Sequence, residues 1–405
     1  KKKERPVLLN SWEAAYFDIN EKKLLKLAKA GKEAGIELFV MDDGWFGERK
    51  DDKRSLGDWE ADKKKLPDGV RGLADKINAL GLSFGIWVEP EMVNVDSDCY
   101  RAHPDWAMDI PGKNHSEGRN QRLLDLSRAE VQDYIIGQMS DLFSSANIAY
   151  VKWDMNRELS DLGSSYLDKD SQQELFHRYV LGLYKMQERL ITEFPDLLLE
   201  NCSGGGARFD PGMLYYSPQI WCSDDTDAVE RLEIQEGTAL IYPLSTMGAH
   251  VSVCPNHSVG RITPFETRGH VALAGTFGYE LDITKLPEEE HKIIKEQTEM
   301  YHKYNDLVRE GDYYRIASFS ENGHYDCYME VAKDKSEALV TYVQVRGMTN
   351  NKSRKLKLQG LDPKAIYQLE GTEESYSGEI LMKGGYLFKD FWGDAVSRLY
   401  HFMKK

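Results

Sequence analysis

Residues 6–35 read PVLLNSWEAAYFDINEKKLLKLAKAGKEAG, and the texture of this stretch decides the fold. Pro6 to Trp12 is a short apolar run. Asn20 to Ala34 follows, with Leu24, Leu25, Leu27, Ala28, Ala30 and Ala34 at the spacing of an amphipathic helix that Gly35 ends. Together they make one βα unit, and the unit recurs. Ile36 to Met41 reads as the next strand, Gly69 to Leu80 as the next helix and Leu82 to Val88 as a third strand. Ser127-x-x-Glu130 and Ser171-x-x-Glu174 have capping-box spacing, and each opens a segment of helical periodicity. Ala149 to Trp153, Leu197 to Glu200, Gln219 to Ser223, Thr246 to Val251 and Leu273 to Tyr279 bring the strand candidates to eight.

Strands alternating with helices imply parallel βαβ units, and eight of them predict a closed (β/α)8 TIM barrel over residues 1–311. An open doubly wound sheet is the alternative. Asn10-Ser11-Trp12-Glu13 stands where a dinucleotide-binding sheet would carry its Gly-rich turn, which removes the main reason to prefer it. After a long helix from Glu288 to Arg309, closed by Gly311, the texture changes. Tyr313 to Ala317, Asp326 to Val331, Ala338 to Val345, Lys355 to Leu358, Ile366 to Leu369 and Leu399 to Met403 are short β-type runs between turn residues. Residues 312–405 are therefore expected to form a C-terminal antiparallel β-sandwich domain.

Fifty-two basic against 67 acidic residues give a formal charge of −15, which disfavours attraction to nucleic acid or to an anionic membrane. No apolar run approaches the roughly 20 residues of a membrane span, and no apolar stretch of a signal peptide follows Lys1 to Arg5. Cys99, Cys202, Cys222, Cys254 and Cys327 are odd in number and widely spaced, so the expected location is a reducing cytoplasm. His250, Cys254 and His257 lack a fourth ligand for structural zinc. No metal or other cofactor is expected.

A barrel places its chemistry at the C-terminal ends of its strands, and four clusters stand there. They are Met41-Asp42-Asp43-Gly44-Trp45, Val151-Lys152-Trp153-Asp154-Met155-Asn156, Asn201-Cys202-Ser203-Gly204-Gly205-Gly206 and Trp221-Cys222-Ser223-Asp224-Asp225-Thr226-Asp227. Side chains alternate along a strand, so Lys152 and Asp154 share a face and Trp153 takes the other. A nearby ammonium favours an ionised carboxylate, as a nucleophile requires. Asp224 is then the candidate second carboxylate of a glycosidase pair. Aspartates at strand ends also cap helices, which is the reading preferred for Asp227, and taken alone Asp154 and Asp224 fit either role. Trp12, Trp87 and Trp153 at neighbouring strand ends tilt the balance, since aromatic faces beside carboxylates suit a sugar's C–H face. Trp153 itself reads as core.

These clusters, with Asn10-Ser11-Trp12-Glu13-Ala14 and Phe84-Gly85-Ile86-Trp87-Val88-Glu89-Pro90-Glu91-Met92, resemble in order the motifs of glycoside hydrolase family 36, the bacterial α-galactosidases. The resemblance covers residues 6 to about 310 and weakens beyond. It implies a retaining hydrolase of terminal α-D-galactosyl residues in melibiose- or raffinose-type oligosaccharides. It assigns the nucleophile to Asp154 and the acid/base to Asp224. By the same resemblance Asp42 and Asp43 bind the C4 and C6 hydroxyls, Trp87, Arg119 and Lys152 hold the ring, Cys202 and Gly205 lie near C2, and Trp12 is a stacking position. Asn156 belongs to the nucleophile's motif and is taken as substrate-binding. Alternatives are an α-N-acetylgalactosaminidase, a galactosyl transferase and a silent sugar-binding module. There are two departures. Asp225 stands where the family often has Asn, and is expected to raise the pKa of Asp224. The chain also starts close to the first strand, without the family's usual N-terminal β-sandwich, so an oligomer is possible but the usual one is in doubt.

Overall fold

Strands buried on both faces need largely apolar side chains, and the short runs found above are of that kind. The computed structural model describes residues 4–350 and 353–405, so Lys1–Lys3 of the basic start lie outside the described residues. Eight parallel strands carry the fold: β1 (Leu8–Asn10), β2 (Leu38–Met41), β3 (Ser83–Val88), β4 (Tyr150–Trp153), β5 (Leu198–Asn201), β6 (Gln219–Trp221), β7 (Met247–Ser252) and β8 (Thr276–Glu280). They close into a barrel in the order β1-β8-β7-β6-β5-β4-β3-β2. The expected barrel is therefore the observed one.

Register sets the site. Trp87 of β3 lies beside Lys152 of β4, which lies beside Glu200 of β5. Leu8, Leu38, Val40 and Tyr150 pack together, and the Tyr150 ring leaves no space for a side chain at Gly85, where a Cβ would sit 2.9 Å from it. After a short helix, Trp12–Ala15, the first long helix spans Glu21–Glu33, with the Asn20 side chain accepting from Lys23 N–H and Leu24, Leu27, Ala28 and Gly31 buried. Gly35 follows at φ 97°, the left-handed conformation that glycine tolerates.

Neither capping box forms, although both helices do. The Ser127 hydroxyl donates to Asp125 instead, and the helix Ala129–Ser145 starts from Arg128 without a side-chain cap. Ser171 makes no cap bond either, because a 3-10 turn, Gln172–Glu174, precedes the helix Leu175–Glu193. The strand expected from Leu273 begins only at Thr276. Leu273 N–H is still bonded to Gly269 O at the end of the helix Phe265–Ala272. Asp227 caps the helix Ala228–Ala239, accepting from Val229 and Glu230 N–H, as expected.

By contacts the chain forms two compact units. One comprises Leu8–Asp224 with Glu280–Lys285, and the other, among the described residues, 4–7, Asp225–Tyr279 and 286–405. The second unit contains the long helix Glu288–Glu310 and eight further strands: β9 (Asp312–Ala317), β10 (Tyr325–Val331), β11 (Glu337–Gln344), β12 (Arg354–Leu356), β13 (Ile366–Leu369), β14 (Ser375–Ser377), β15 (Tyr386–Phe388) and β16 (Val396–Lys404). Six make an antiparallel sheet in the order β9-β10-β11-β16-β13-β14, and β12 pairs with β15. The two sheets share one core, in which Phe388 stacks on Tyr342 at 4.9 Å. Among the described residues no helix is long and apolar enough to cross a membrane.

Candidate active site

Asp154 is the first residue past β4, and its N–H bonds Val88 O at the end of β3. Its carboxylate is buried and dressed with donors. Oδ2 accepts from Trp87 Nε1 at 3.0 Å and from Asn156 Nδ2 at 2.7 Å, and Oδ1 accepts from Met155 N–H at 2.9 Å. Burial opposes its ionisation, but Lys152, the Cys202 thiol, Asn156 and Trp87 together hold its pKa below the usual carboxylate range. The alternation along β4 sends Trp153 the other way. It is fully buried, as expected, with Nε1 donating to Glu91 at 2.8 Å.

Asp224 follows β6, with Oδ1 accepting from Trp221 Nε1 at 3.0 Å. Its side chain reaches solvent, yet its pKa is raised. Burial in the site is the largest cause, followed by the negative charge of Asp154, with Lys152 opposing and Glu280 adding. Asp225 is not among these causes; its carboxylate accepts from Asp227 N–H. Asp154 and Glu280 are the acids that raise Asp224 most. Gly205, at φ 84°, presses against this segment, and a Cβ there would lie 2.7 Å from Ser223 Cα and 2.8 Å from Asp224 N. The Gly-rich loop therefore seats the backbone of Asp224. Cys202, on the same loop, is buried, and burial and the charge of Asp154 hold its thiol protonated beside that carboxylate.

The end of β2 supplies a second carboxylate pair, and the end of β1 supplies Asn10 beside it. Asp42 Oδ2 accepts from Asn10 Nδ2 at 2.7 Å and Lys152 Nζ at 3.1 Å. Burial pushes the Asp42 pKa up to about 6 against the pull of Lys152. Asp43 is held by a buried bidentate pair with Arg49, both contacts at 2.8 Å. Trp12 is half-buried, set edge-on to Tyr16 and Phe17. Trp87 is only 2% exposed and meets Asp154 through its ring N–H. Arg119 is exposed at φ 53°, on the segment preceding the short strand Gln121–Leu123, and its charge bears on Glu89. The expected residues thus gather around one barrel mouth, all within the first compact unit, with Arg119 at its exposed edge.

Several residues were not singled out by their surroundings in sequence. Arg49 fixes Asp43. Glu280, at the end of β8, acts on Asp42, Lys152 and Asp224. Glu91 is fully buried and accepts from Trp153, from Tyr179 Oη at 2.5 Å and from Arg208 Nη1 and Nη2 at 2.9 Å each. Arg208 Nε in turn donates to Ser203 Oγ on the Gly-rich loop. Only Glu89-Pro90-Glu91 carried a signal, as two acids flanking a proline past a strand. Among the described residues no group of three His, Cys, Asp or Glu side chains is placed to hold a metal ion.

Residues 1–311 match the family model described as melibiase, and residues 325–402 match the glycosyl hydrolase family 36 C-terminal domain. The chain belongs to the melibiase family. Among relatives of this family, α-galactosidase AgaA of Geobacillus stearothermophilus is 53% identical over 398 residues, which is 98% of this chain and 54% of that protein. α-Galactosidase Mel36A of Lactobacillus acidophilus is 49% identical over 98% of this chain and 54% of its own length. This melibiase-family chain spans about half the length of the curated relatives it matches. The crystal structure of AgaA superposes with a TM-score of 0.97 at 52% identity, covering all of this chain and 56% of AgaA. Variants of AgaA have been crystallised in complex with raffinose and with stachyose.

Proposed function

We propose that this chain carries the catalytic site of a retaining α-galactosidase acting on terminal α-D-galactosyl residues of melibiose- and raffinose-type oligosaccharides. Asp154 is the nucleophile and Asp224 the acid/base. The observation that carries the reading is the opposed displacement of two neighbouring carboxyls: Asp154 is held ionised and Asp224 is biased towards its proton. In the first step Asp154 attacks the anomeric carbon while Asp224 gives its proton to the departing glycosidic oxygen. The products are a galactosyl ester of Asp154 and the free aglycone. Asp224, now ionised, takes a proton from water, whose oxygen attacks the same carbon and frees Asp154 and galactose.

Asp42 and Asp43 are proposed to read the C4 and C6 hydroxyls, each held in place by a cation, Lys152 or Arg49. Trp12 offers a partly open ring face, while Cys202 and Gly205 border C2. Arg119 is assigned to the outer edge, and Trp87, Asn156 and Lys152 act on both the ring and Asp154. The relatives named above support the substrate class. The division between catalytic and C-terminal domains is placed after Gly311, which agrees with the limits of the two family matches. All five cysteines are free thiols, in keeping with a reducing cytoplasm. The test is release of phenol from aryl α-galactoside and from aryl α-N-acetylgalactosaminide. Turnover on the galactoside alone is expected. Preference for the acetamido sugar, or binding without turnover, would overturn the reading.

A further inference from the structure

Glu89 has no place in the mechanism above, yet it is fully buried within reach of the nucleophile's charge. Its Oε1 accepts the backbone N–H of Asn156, and its Oε2 accepts from Gln121 Nε2 at 3.1 Å. Asn156 reaches two further groups: its Nδ2 donates to Asp154 Oδ2 at 2.7 Å, and its Oδ1 accepts Gly204 N–H at 3.2 Å. One residue thus ties the nucleophile to the Gly-rich loop that seats Asp224, and it is anchored from behind by Glu89. We propose that Glu89 is a positioning residue for the galactosidase reaction, fixing Asn156 so that its amide points at Asp154 and its carbonyl oxygen holds Gly204. This inference rests on the reading of Asp154 as nucleophile.

The groups facing Glu89 fit that role. Burial and the charge of Asp154 disfavour its ionisation, Arg119, Arg49 and the Asn156 N–H oppose them, and the result is a pKa of about 8. Tyr179, whose pKa is raised well above the ordinary tyrosine value, also lies within reach of its charge. Near neutral pH Glu89 is then a neutral acid that accepts the Asn156 N–H without placing a second charge beside Asp154. A glutamine reproduces that state and methionine does not, because methionine fills the volume without the acceptor.

The test is a double-mutant cycle on aryl α-galactoside hydrolysis, with pH profiles and with Asp154→Asn as a control. Glu89→Met is expected to lower kcat about a hundredfold, the scale of a misplaced catalytic group. It should also move the acid limb of kcat/KM to higher pH, because Asp154 loses a donor that depresses its pKa. Glu89→Gln should keep the wild-type limb and stay within about tenfold in kcat, since its amide oxygen still accepts. Asn156→Ala should copy the limb shift, and Glu89→Met combined with Asn156→Ala should be no worse than the weaker single variant. The proposal fails if the losses multiply in the double variant, or if Glu89→Gln and Glu89→Met behave alike. An active Asp154→Asn control would instead remove the nucleophile reading beneath it.

Discussion

Two aspartates of the same type, carried on β4 and β6, are given opposite chemistry by what touches them. Asp154 receives three N–H donors, the influence of the Cys202 thiol and that of a nearby ammonium, while Asp224 receives one indole N–H and the negative field of Asp154. The acid limb of kcat/KM is therefore assigned to Asp154 and the alkaline limb to loss of the Asp224 proton. Asp224→Ala should slow melibiose hydrolysis roughly 10²–10⁴-fold, the usual worth of a positioned general acid. Release of an acidic phenol, which leaves without protonation, should suffer far less in the glycosylation step. Equal losses on the two substrates, measured by steady-state kinetics, would show that Asp224 is structural. The two aspartates were legible in sequence because each stands in a cluster at a strand end, next to tryptophan and lysine or cysteine. Arg49, Arg208 and Glu280 were not, because no local pattern marks them. Arg208 meets Glu91 from 117 positions away, a pairing that only the closed barrel creates.

Alternation along a strand decides burial in the C-terminal sheet as it does in the barrel. On β10, Cys327, Met329 and Val331 face the sandwich core, and Asp326, Tyr328 and Glu330 face the other way, still buried. Glu330 is 1% exposed, and neither of its oxygens reaches a partner beyond its own backbone N–H. Burial pushes its pKa up to about 8, and burial likewise raises Asp326 to about 7. The folded state holds a proton that the unfolded chain gives up above the ordinary glutamate pKa. Stability from this site is thus full at low pH and lost as pH rises towards 8. Glu330→Gln should remove that loss, adding on the order of 4 kcal/mol at pH 8 and little at pH 5. Thermal melts at the two pH values test it, and an equal change at both would refute the account. Such a carboxyl was hidden in sequence, since a glutamate in an alternating run reads as solvent-facing. The failed capping boxes show the same limit, because Asp125 captures the Ser127 hydroxyl that the local spacing assigned to the helix.

At the scale of the whole molecule, the order of strands and helices made the barrel legible. Eight short apolar runs separated by helices leave few ways to bury both faces of every strand. What the order did not carry is the register that brings Trp87 beside Lys152 and Lys152 beside Glu200. That register puts an indole N–H on Asp154, while the Lys152 ammonium, bonded to Asp42, acts on Asp154 through its charge, so the chemistry is a product of closure and not of any one motif. The chain spans about half the length of its curated relatives, yet every residue proposed for catalysis and for galactose lies in one compact unit of it. The most direct measurement is mass spectrometry of peptides after reaction with a 2-fluoro-galactosyl inactivator, which arrests the galactosyl-enzyme. The label is predicted on Asp154, and Asp154→Asn should neither take it up nor turn over substrate. A label on Glu89, Glu200 or Asp225 would contradict the account.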